Sequence, residues 1–189
     1  MMRLSIIIPV YNSAKILKKL INEINSNLSV KFDKDYEIIF VNDFSKDNSW
    51  EIIKKISREF NFVKGIDLNH NVGQHGAIFV GLKYSIGNKV IMMDDDLQHP
   101  PQSLISIYDQ LDTFDACYTL YLKRKHVTWK IIVSYVNNIF SSFIFNKPFK
   151  IYTSSMKGIR GEIKNSFIDN NPRIISLDSL ILREAKNVT

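Results

Sequence analysis

Short apolar, β-branched runs alternate with segments of helical period through the first 96 residues, and this alternation limits the fold more than any other feature. Strands are predicted at 4–10, 36–43, 63–69 and 89–96, separated by helices that end near residues 28, 60 and 86. Strands joined in series by helices form a mostly parallel, doubly wound sheet. Ligands of such sheets bind outside the carboxyl ends of the strands, so the loops after Val10, Val41 and Met93 are expected on one edge.

The first helix is expected to begin at Asn12 or Ser13, either of which can cap it. Beyond residue 99 the pattern predicts a helix at 100–112 and a strand at 114–122. Segment 123–149 starts basic and becomes apolar and aromatic, which fits an amphipathic helix on a membrane or a helix packed over the sheet edge. Lys and Asn residues interrupt it, so it does not predict a transmembrane span.

Three consecutive aspartates, Asp94 to Asp96, follow the fourth apolar strand. On an extended backbone Asp94 and Asp96 point to one side and Asp95 to the other, and Gln98 continues the first side. Carboxylate and amide oxygens are the ligands of hard divalent cations, which indicates a site for Mg²⁺ or Mn²⁺. The alternative is a capping cluster for the helix that begins near Pro100.

Two other loops of the same predicted edge can receive a nucleotide. Tyr11 offers a flat face on which a base can stack, and Asp43 can accept hydrogen bonds from a base or ribose. A packed tyrosine and a turn aspartate are the structural alternatives. Gly73 and Gly76 permit close backbone approach, but the loop lacks both the P-loop and the GxGxxG pattern. The phosphates of a nucleotide would therefore need the metal.

Four motifs in register carry a resemblance to a known family: SIIIPVYNSAKIL, IIFVNDFSKDNSWEII, NVGQHGAIFVGL and VIMMDDDLQHPP. Together they resemble the inverting family 2 glycosyltransferases, which have the GT-A fold, an α/β, Rossmann-like, mostly parallel sheet flanked by helices. DDDLQHPP is most similar to the polyprenyl-phosphate sugar transferases, the group of dolichol-phosphate mannose synthase and the undecaprenyl-phosphate glycosyltransferases. The resemblance implies a UDP- or GDP-sugar donor, Mg²⁺ or Mn²⁺, and a polyprenyl phosphate acceptor.

The resemblance also implies roles for individual residues. Asp96 and Asp178 are expected to be catalytic, and Asp94, Asp96 and Gln98 are expected to surround the metal. The substrate-binding residues implied are Pro9, Tyr11, Asn12, Asp43, Ser45, Gly73, Gln74, Asp94, Asp95, Arg124, Lys157 and Arg160.

The acceptor side depends on fewer matching residues. Lys157 and Arg160 are expected to hold a phosphate, or else to start a basic helix. Asp178 lies where an acceptor-side carboxylate is expected, or is a polar residue of an amphipathic helix. The chain is expected to form a single domain, with a nucleotide-binding half at 1–98 and an acceptor-side half at 99–189 that is incomplete relative to the family, a C-terminally truncated GT-A fold.

This chain departs from the family pattern at several positions. Ser13 stands where an acidic residue is common, and Phe44 stands where glycine is common. Asn42 and Asp43 replace a pair of aspartates, and Tyr121 occupies the place of an arginine that Arg124 follows closely. The departures and the short length favour, as one alternative, a catalytically inactive nucleotide-binding domain.

The distribution of charge bears on the acceptor. Residues 1–119 carry 13 Lys and Arg against 15 Asp and Glu, and residues 120–189 carry the remaining 12 of 25 against 4 of 19. A basic last third favours an anionic partner such as lipid phosphate and peripheral contact with the cytoplasmic face of the membrane. A saccharide acceptor, as in polysaccharide synthesis, is the alternative with the same chemistry. No nucleic-acid-binding module is present, and the single cysteine, Cys117, excludes an intrachain disulfide.

Overall fold

A computed structural model of the protein describes residues 2–98, 100–119, 156–170 and 177–189. Six strands and six helices are defined within these residues. In chain order they are β1 Leu4–Val10, α1 Leu17–Phe32, β2 Tyr36–Asn42, α2 Ser49–Glu59, β3 Val63–Asp67, α3 Gly73–Tyr84, β4 Lys89–Met92, α4 Gln102–Gln110, β5 Ala116–Tyr118, β6 Lys157–Arg160, α5 Gly161–Asn170 and α6 Leu177–Glu184.

The six strands form one sheet in the order β3-β2-β1-β4-β6-β5. β1 pairs in parallel with β2 and with β4, and β2 pairs in parallel with β3. β6 is antiparallel to β4 and to β5. Because β2 and β4 flank β1 on opposite sides, the carboxyl ends of β1 and β4 form the switch point at which such sheets bind ligands.

Helices cover the sheet on both faces, as the continuous apolar strands predict. Side chains of α1, α2 and α4 pack on one face, and side chains of α3, α5 and α6 pack on the other. Neighbouring residues of one strand alternate between the two layers: Ile6 and Ile8 belong to the first, and Ile7 to the second. The predicted mixed α/β architecture is confirmed, and its core holds the parallel strands rigid beneath the loops.

Two predicted boundaries are wrong, and tertiary contacts explain both. α1 begins at Leu17, not at Asn12 or Ser13, because the amide of Asn12 bonds to Ser45 in the loop after β2 and the amide of Ser13 bonds to Ser49 at the start of α2. β4 ends at Met92, so the aspartates lie in the loop that follows and not in the strand.

The later part of the chain differs more from the sequence prediction. Residues 157–160 form a strand, where the sequence predicted two phosphate-binding residues or the start of a basic helix. The predicted strand at 114–122 is confirmed for Ala116–Tyr118. Segment 123–149 lies outside the described residues. Among the helices that the structure describes, none is both long and apolar enough to cross a membrane.

Candidate functional site

The loops after β1 and β2 are bonded into one unit at the carboxyl edge. The amide of Asn12 donates to Ser45 Oγ at 3.0 Å, and the amide of Lys46 donates to Asn12 Oδ1 at 2.7 Å. The amide of Ser13 donates to Ser49 Oγ at 2.9 Å. Asn12 has a φ of +57°, a conformation that asparagine adopts more readily than most residues. Asn12 and Ser45, both predicted to bind substrate, therefore hold the two loops together.

Tyr11 and Pro9 are in different environments although both were predicted to line a nucleotide. Tyr11 is 51% exposed at the end of β1. Pro9 is buried within β1, opposite Val41 of β2. Tyr11 is thus the one of the two that is exposed, and the structure does not bring Pro9 to the surface.

Asp43 links three segments of the edge and is only 3% exposed. Its amide donates to the Val10 carbonyl at 2.8 Å. Its Oδ1 accepts the amide of Val72 at 2.7 Å, and its carbonyl accepts the side-chain amide of Asn71 at 3.0 Å. The carboxylate is therefore fixed in place beside the loop that precedes α3, in the position that the sequence predicted for a base or ribose contact.

The first turn of α3 extends to the aspartates. Gly73 has a φ of +77°, where a side chain would strain the backbone, and an added Cβ would meet no atom within 4 Å. Gln74 follows it and donates from Nε2 to Asp94 Oδ1. The structure thus brings together Gly73, Gln74 and Asp94, which the sequence placed in one site without showing this bond.

The three aspartates are in three environments. Ile91 and Met93 belong to the α1 layer, and Met92 belongs to the α3 layer. This alternation continues into the loop, because Asp94 contacts Gln74 of α3 and Asp95 interacts with the Ser13 hydroxyl before α1. Asp94 and Asp95 therefore lie on opposite sides of the chain, as predicted.

Asp95 is the most enclosed of the three. Burial raises the pKa of its carboxyl group, the Ser13 hydrogen bond opposes this shift, and the charges of Asp94 and Asp96 add to it. Its Oδ2 is buried and makes no hydrogen bond within the described residues. Ser13, which the sequence singled out as a possible helix cap and as a departure from the family, is therefore a neighbour of the aspartates.

Asp96 is exposed, and its Oδ1 accepts the amide of Gln98 at 3.0 Å. Leu97 between them has a φ of +59°, which closes a tight turn. The predicted metal set of Asp94, Asp96 and Gln98 thus lies within one short loop.

The carboxylate and amide oxygens of this loop are of the type that hard divalent cations prefer. Within the described residues, no group of three or more His, Cys, Asp and Glu side chains is arranged to hold a metal ion. Mg²⁺ is commonly held by one or two carboxylates, with water and substrate phosphates as the other ligands. Asp94 and Asp96 supply such a pair, and each uses one oxygen, Oδ1, in the hydrogen bonds described above.

A buried ion pair lies beside the end of β4. Lys157 of β6 faces Met92 across the strand pair and is 4% exposed. Its ammonium group pairs with Asp178 Oδ1, which also accepts the Tyr118 hydroxyl at 3.3 Å. Burial, followed by the charge of Asp178, raises the pKa of Tyr118. The structure thus brings together Lys157 and Asp178, two predicted site residues, and it shows that they pair with each other.

Arg160 is not part of this edge. It lies opposite Lys89, three residues along β6 from Lys157 and about 10 Å away at the usual strand rise. Its guanidinium group donates to the carbonyls of Leu111 and Asp112 at 2.9 and 2.7 Å, and it pairs with Asp115 at 3.4 Å. The expectation that Arg160 joins Lys157 in a phosphate site is contradicted by this placement, because the antiparallel strand carries it to the opposite end of the sheet. Arg124 lies outside the described residues.

His75 is a residue that the sequence did not single out. Its Nδ1 accepts the amide of Leu177, the first residue of α6, at 3.3 Å. One turn of α3 therefore contacts the aspartate loop through Gln74 and the helix of Asp178 through His75. The two partners are 102 positions apart in the chain, so no local pattern could have revealed the contact.

The family model for Glycosyl transferase family 2 matches residues 5–165. A Bacillus subtilis (strain 168) protein named Uncharacterized glycosyltransferase YkcC is 33% identical over 126 residues, 66% of this chain and 39% of that protein. The undecaprenyl-phosphate 4-deoxy-4-formamido-L-arabinose transferase of Salmonella choleraesuis (strain SC-B67) is 29% identical over 168 residues, 88% of this chain and 51% of the relative. The chain thus spans about half or less of the length of these relatives.

Solved structures show the same fold. S. aureus TarS in complex with UDP-GlcNAc has a TM-score of 0.63 and 22% identity, and the match covers 99% of this chain and 55% of that one. The mannosyltransferase PcManGT of Pyrobaculum calidifontis, in complex with GDP-Man and Mn²⁺, has a TM-score of 0.64 and 16% identity, covering 87% of this chain and 46% of the other. At these identities the likeness shows the fold, which is the GT-A fold predicted from the sequence.

Proposed function

This chain belongs to glycosyl transferase family 2, and we propose that it transfers a sugar from a nucleoside-diphosphate sugar to a polyprenyl phosphate at the cytoplasmic face of the membrane. The relative from Salmonella choleraesuis is named for transfer to undecaprenyl phosphate. The excess of basic residues at 120–189 is suited to an anionic lipid surface.

One observation carries the donor side of the proposal: an exposed aromatic ring lies at one end of the carboxyl edge, and the aspartate loop lies at the other. The exposed ring of Tyr11 and the fixed carboxylate of Asp43 lie at the ends of β1 and β2. Asp94 and Asp96 lie after β4, on the other side of β1. A nucleoside diphosphate has the matching polarity, with a flat base at one end and two phosphates at the other.

In the proposed reaction the bond from the anomeric carbon to the diphosphate breaks, and its electron pair leaves with the nucleoside diphosphate. In a single displacement, an oxygen of the acceptor phosphate attacks that carbon on the face opposite to the leaving diphosphate, so the transfer inverts the anomeric centre. Asp94 and Asp96 would hold Mg²⁺ or Mn²⁺, which as a Lewis acid stabilises the charge of the leaving group. Gln74 fixes the orientation of Asp94, and the Val72 amide fixes that of Asp43, which would contact the base or ribose.

The environment of Asp178 favours an acceptor that needs no general base. A phosphate acceptor is already an anion and needs mainly to be positioned, whereas a sugar hydroxyl needs a group that accepts its proton. Asp178 Oδ1 already accepts hydrogen bonds from Lys157 and Tyr118. This arrangement supports a positioning role for Asp178, and it makes the saccharide acceptor the second candidate.

Thermal unfolding of this chain with UDP, GDP, CDP and dTDP, each with and without Mn²⁺, tests the donor site. A nucleotide at 100 times its dissociation constant adds about 2.7 kcal/mol to the free energy of unfolding. We expect one nucleotide to raise the unfolding temperature only with metal. Transfer of labelled sugar to undecaprenyl phosphate then tests the acceptor, and nucleotide binding without any transfer would favour the inactive nucleotide-binding domain.

A further inference from the structure

Phe44 has a backbone conformation that bulky residues rarely adopt. Its φ is +59°, in the left-handed region, which steric contact between the Cβ atom and the backbone makes uncommon for residues other than glycine, asparagine and aspartate. Its side chain is 41% exposed, so the protein gains only part of the burial that a phenylalanine can supply. Strained residues that persist without a packing reason occur most often at binding and catalytic sites.

Phe44 lies among the other exposed apolar residues of the carboxyl edge. Six large hydrophobic residues are exposed in the described part of the chain, and Tyr11, Phe44 and Val72 are three of them. They follow β1, β2 and β3, which are neighbours in the sheet. These three exposed residues therefore follow β1, β2 and β3, whereas Asp94 and Asp96 follow β4, the next strand beyond β1.

Hydrogen bonds fix the backbone on both sides of Phe44. Asp43 before it bonds to Val10 and Val72, and Ser45 after it accepts the amide of Asn12. The ring is thus attached to a segment that is held in place before any ligand arrives. Such preorganisation reduces the entropy lost when a ligand packs on the ring.

Lys46 lies over the same ring, with its Nζ 4.3 Å from the ring centroid. A cation at this position is attracted to one face of the aromatic system. The amide of Lys46 also donates to Asn12 Oδ1, which keeps the residue at this edge. Lys46 therefore lies against one face of the Phe44 ring, and the residue as a whole is 41% exposed.

We propose that Phe44 is an aromatic wall of the donor site, on which the purine or pyrimidine base of the nucleoside diphosphate stacks opposite Lys46. This inference rests on the proposed function and adds a residue that determines affinity for the base. Phe44 occupies a position that conformation alone would assign to glycine, and stacking on a base supplies a reason for the ring.

The test compares ligands that have a base with one that lacks it. Dissociation constants of UDP, GDP and inorganic pyrophosphate, each with Mn²⁺, are measured by calorimetry on the wild-type chain and on Phe44→Ala and Phe44→Trp. We expect Phe44→Ala to weaken the preferred nucleotide about 5- to 100-fold, the range of one lost stacking contact, and pyrophosphate by less than about twofold. Phe44→Trp, which keeps a π face, should bind the nucleotide within about threefold of wild type.

Phe44→Gly separates the ring from the backbone conformation. It should bind nucleotide as weakly as Phe44→Ala does. It should unfold at a higher temperature than Phe44→Ala, because glycine adopts a positive φ without strain. Asp33→Gly is the matched control. Asp33 also has a positive φ, +51°, but it lies between α1 and the amino end of β2, so this variant should leave nucleotide affinity unchanged.

Three results would overturn the proposal. Unchanged nucleotide affinity in Phe44→Ala would show that the ring makes no contact with the base. An equal loss of pyrophosphate affinity would show that the substitution disturbs the whole edge. Wild-type protein that binds pyrophosphate or metal but no nucleoside diphosphate would refute the donor site itself, a failure distinct from that of Phe44 alone.

Discussion

Replacement of Asp178 by alanine separates a structural from a catalytic role for this carboxylate. The Lys157 side chain is 5% exposed and the Asp178 side chain 22% exposed, so the pair is largely removed from water. Without the carboxylate, the Lys157 ammonium group would remain buried without its anion, and Tyr118 would lose an acceptor. Breaking a buried pair in this way costs about 3–5 kcal/mol.

The expected loss is large enough to measure in two ways. For a chain of this size each kcal/mol lowers the unfolding temperature by roughly 2–4 °C, so Asp178→Ala should lower it by about 6–20 °C. Urea unfolding gives the free energy directly. The double variant Lys157→Met/Asp178→Leu should recover most of the loss, because an apolar pair of similar volume can replace a buried ion pair.

Glu51→Ala is the matched control for this experiment. Glu51 pairs with Lys54 on the surface of α2 at 2.6 Å, and removal of an exposed pair of this kind costs less than about 1 kcal/mol. If Asp178→Ala unfolds within about 0.5 kcal/mol of wild type, the structural reasoning is refuted. Unchanged stability with abolished transfer would instead identify Asp178 as a general base and support the saccharide acceptor.

Three further predictions concern the aspartates, the thiol and the core. Asp94→Ala and Asp96→Ala should abolish the metal-dependent thermal shift caused by nucleotide, whereas Asp95→Ala should retain most of it; equal loss in all three folded variants would contradict the two-sided arrangement. Burial raises the pKa of Cys117 to about 11, so iodoacetamide should modify the native protein slowly at pH 8 and faster as the pH approaches 11, while rapid reaction at pH 8 would show an exposed thiol. Gly81→Ala should lower the free energy of unfolding by about 1–3 kcal/mol in urea, because the added Cβ would lie 2.4 Å from a methyl carbon of β1; unchanged stability would show that the core yields there.

Much of the donor side could be predicted from the sequence because its signals are local. The strands before Tyr11, Asp43 and Asp94 are continuous apolar runs. Because helices connect these strands, they run parallel and their carboxyl ends lie at one edge of the sheet. The side-to-side alternation of Asp94 and Asp95 follows from backbone geometry alone.

The acceptor side could not be predicted in the same way because its contacts are non-local. Lys157 and Arg160 are close in sequence, but the extended conformation of β6 holds them apart. The antiparallel pairing of β6 with β4 then places Lys157, and not Arg160, at the carboxyl edge. The partner of Asp178 is 21 positions away in the chain, and that of His75 is 102 positions away. No period or spacing encodes such pairs, since they depend on which strands become neighbours.

The sequence by itself determined the order of strands and helices, the layers that the apolar residues fill, and the edge at which the polar motifs meet. These properties follow from periodicity, which each segment carries on its own. The tertiary structure decided that Gln74 orients Asp94, that Lys157 is neutralised by Asp178, and that Phe44 is held in a conformation suited to glycine. Those outcomes arise from packing between distant segments, whose energies are settled only when the whole sheet and both helix layers are in place.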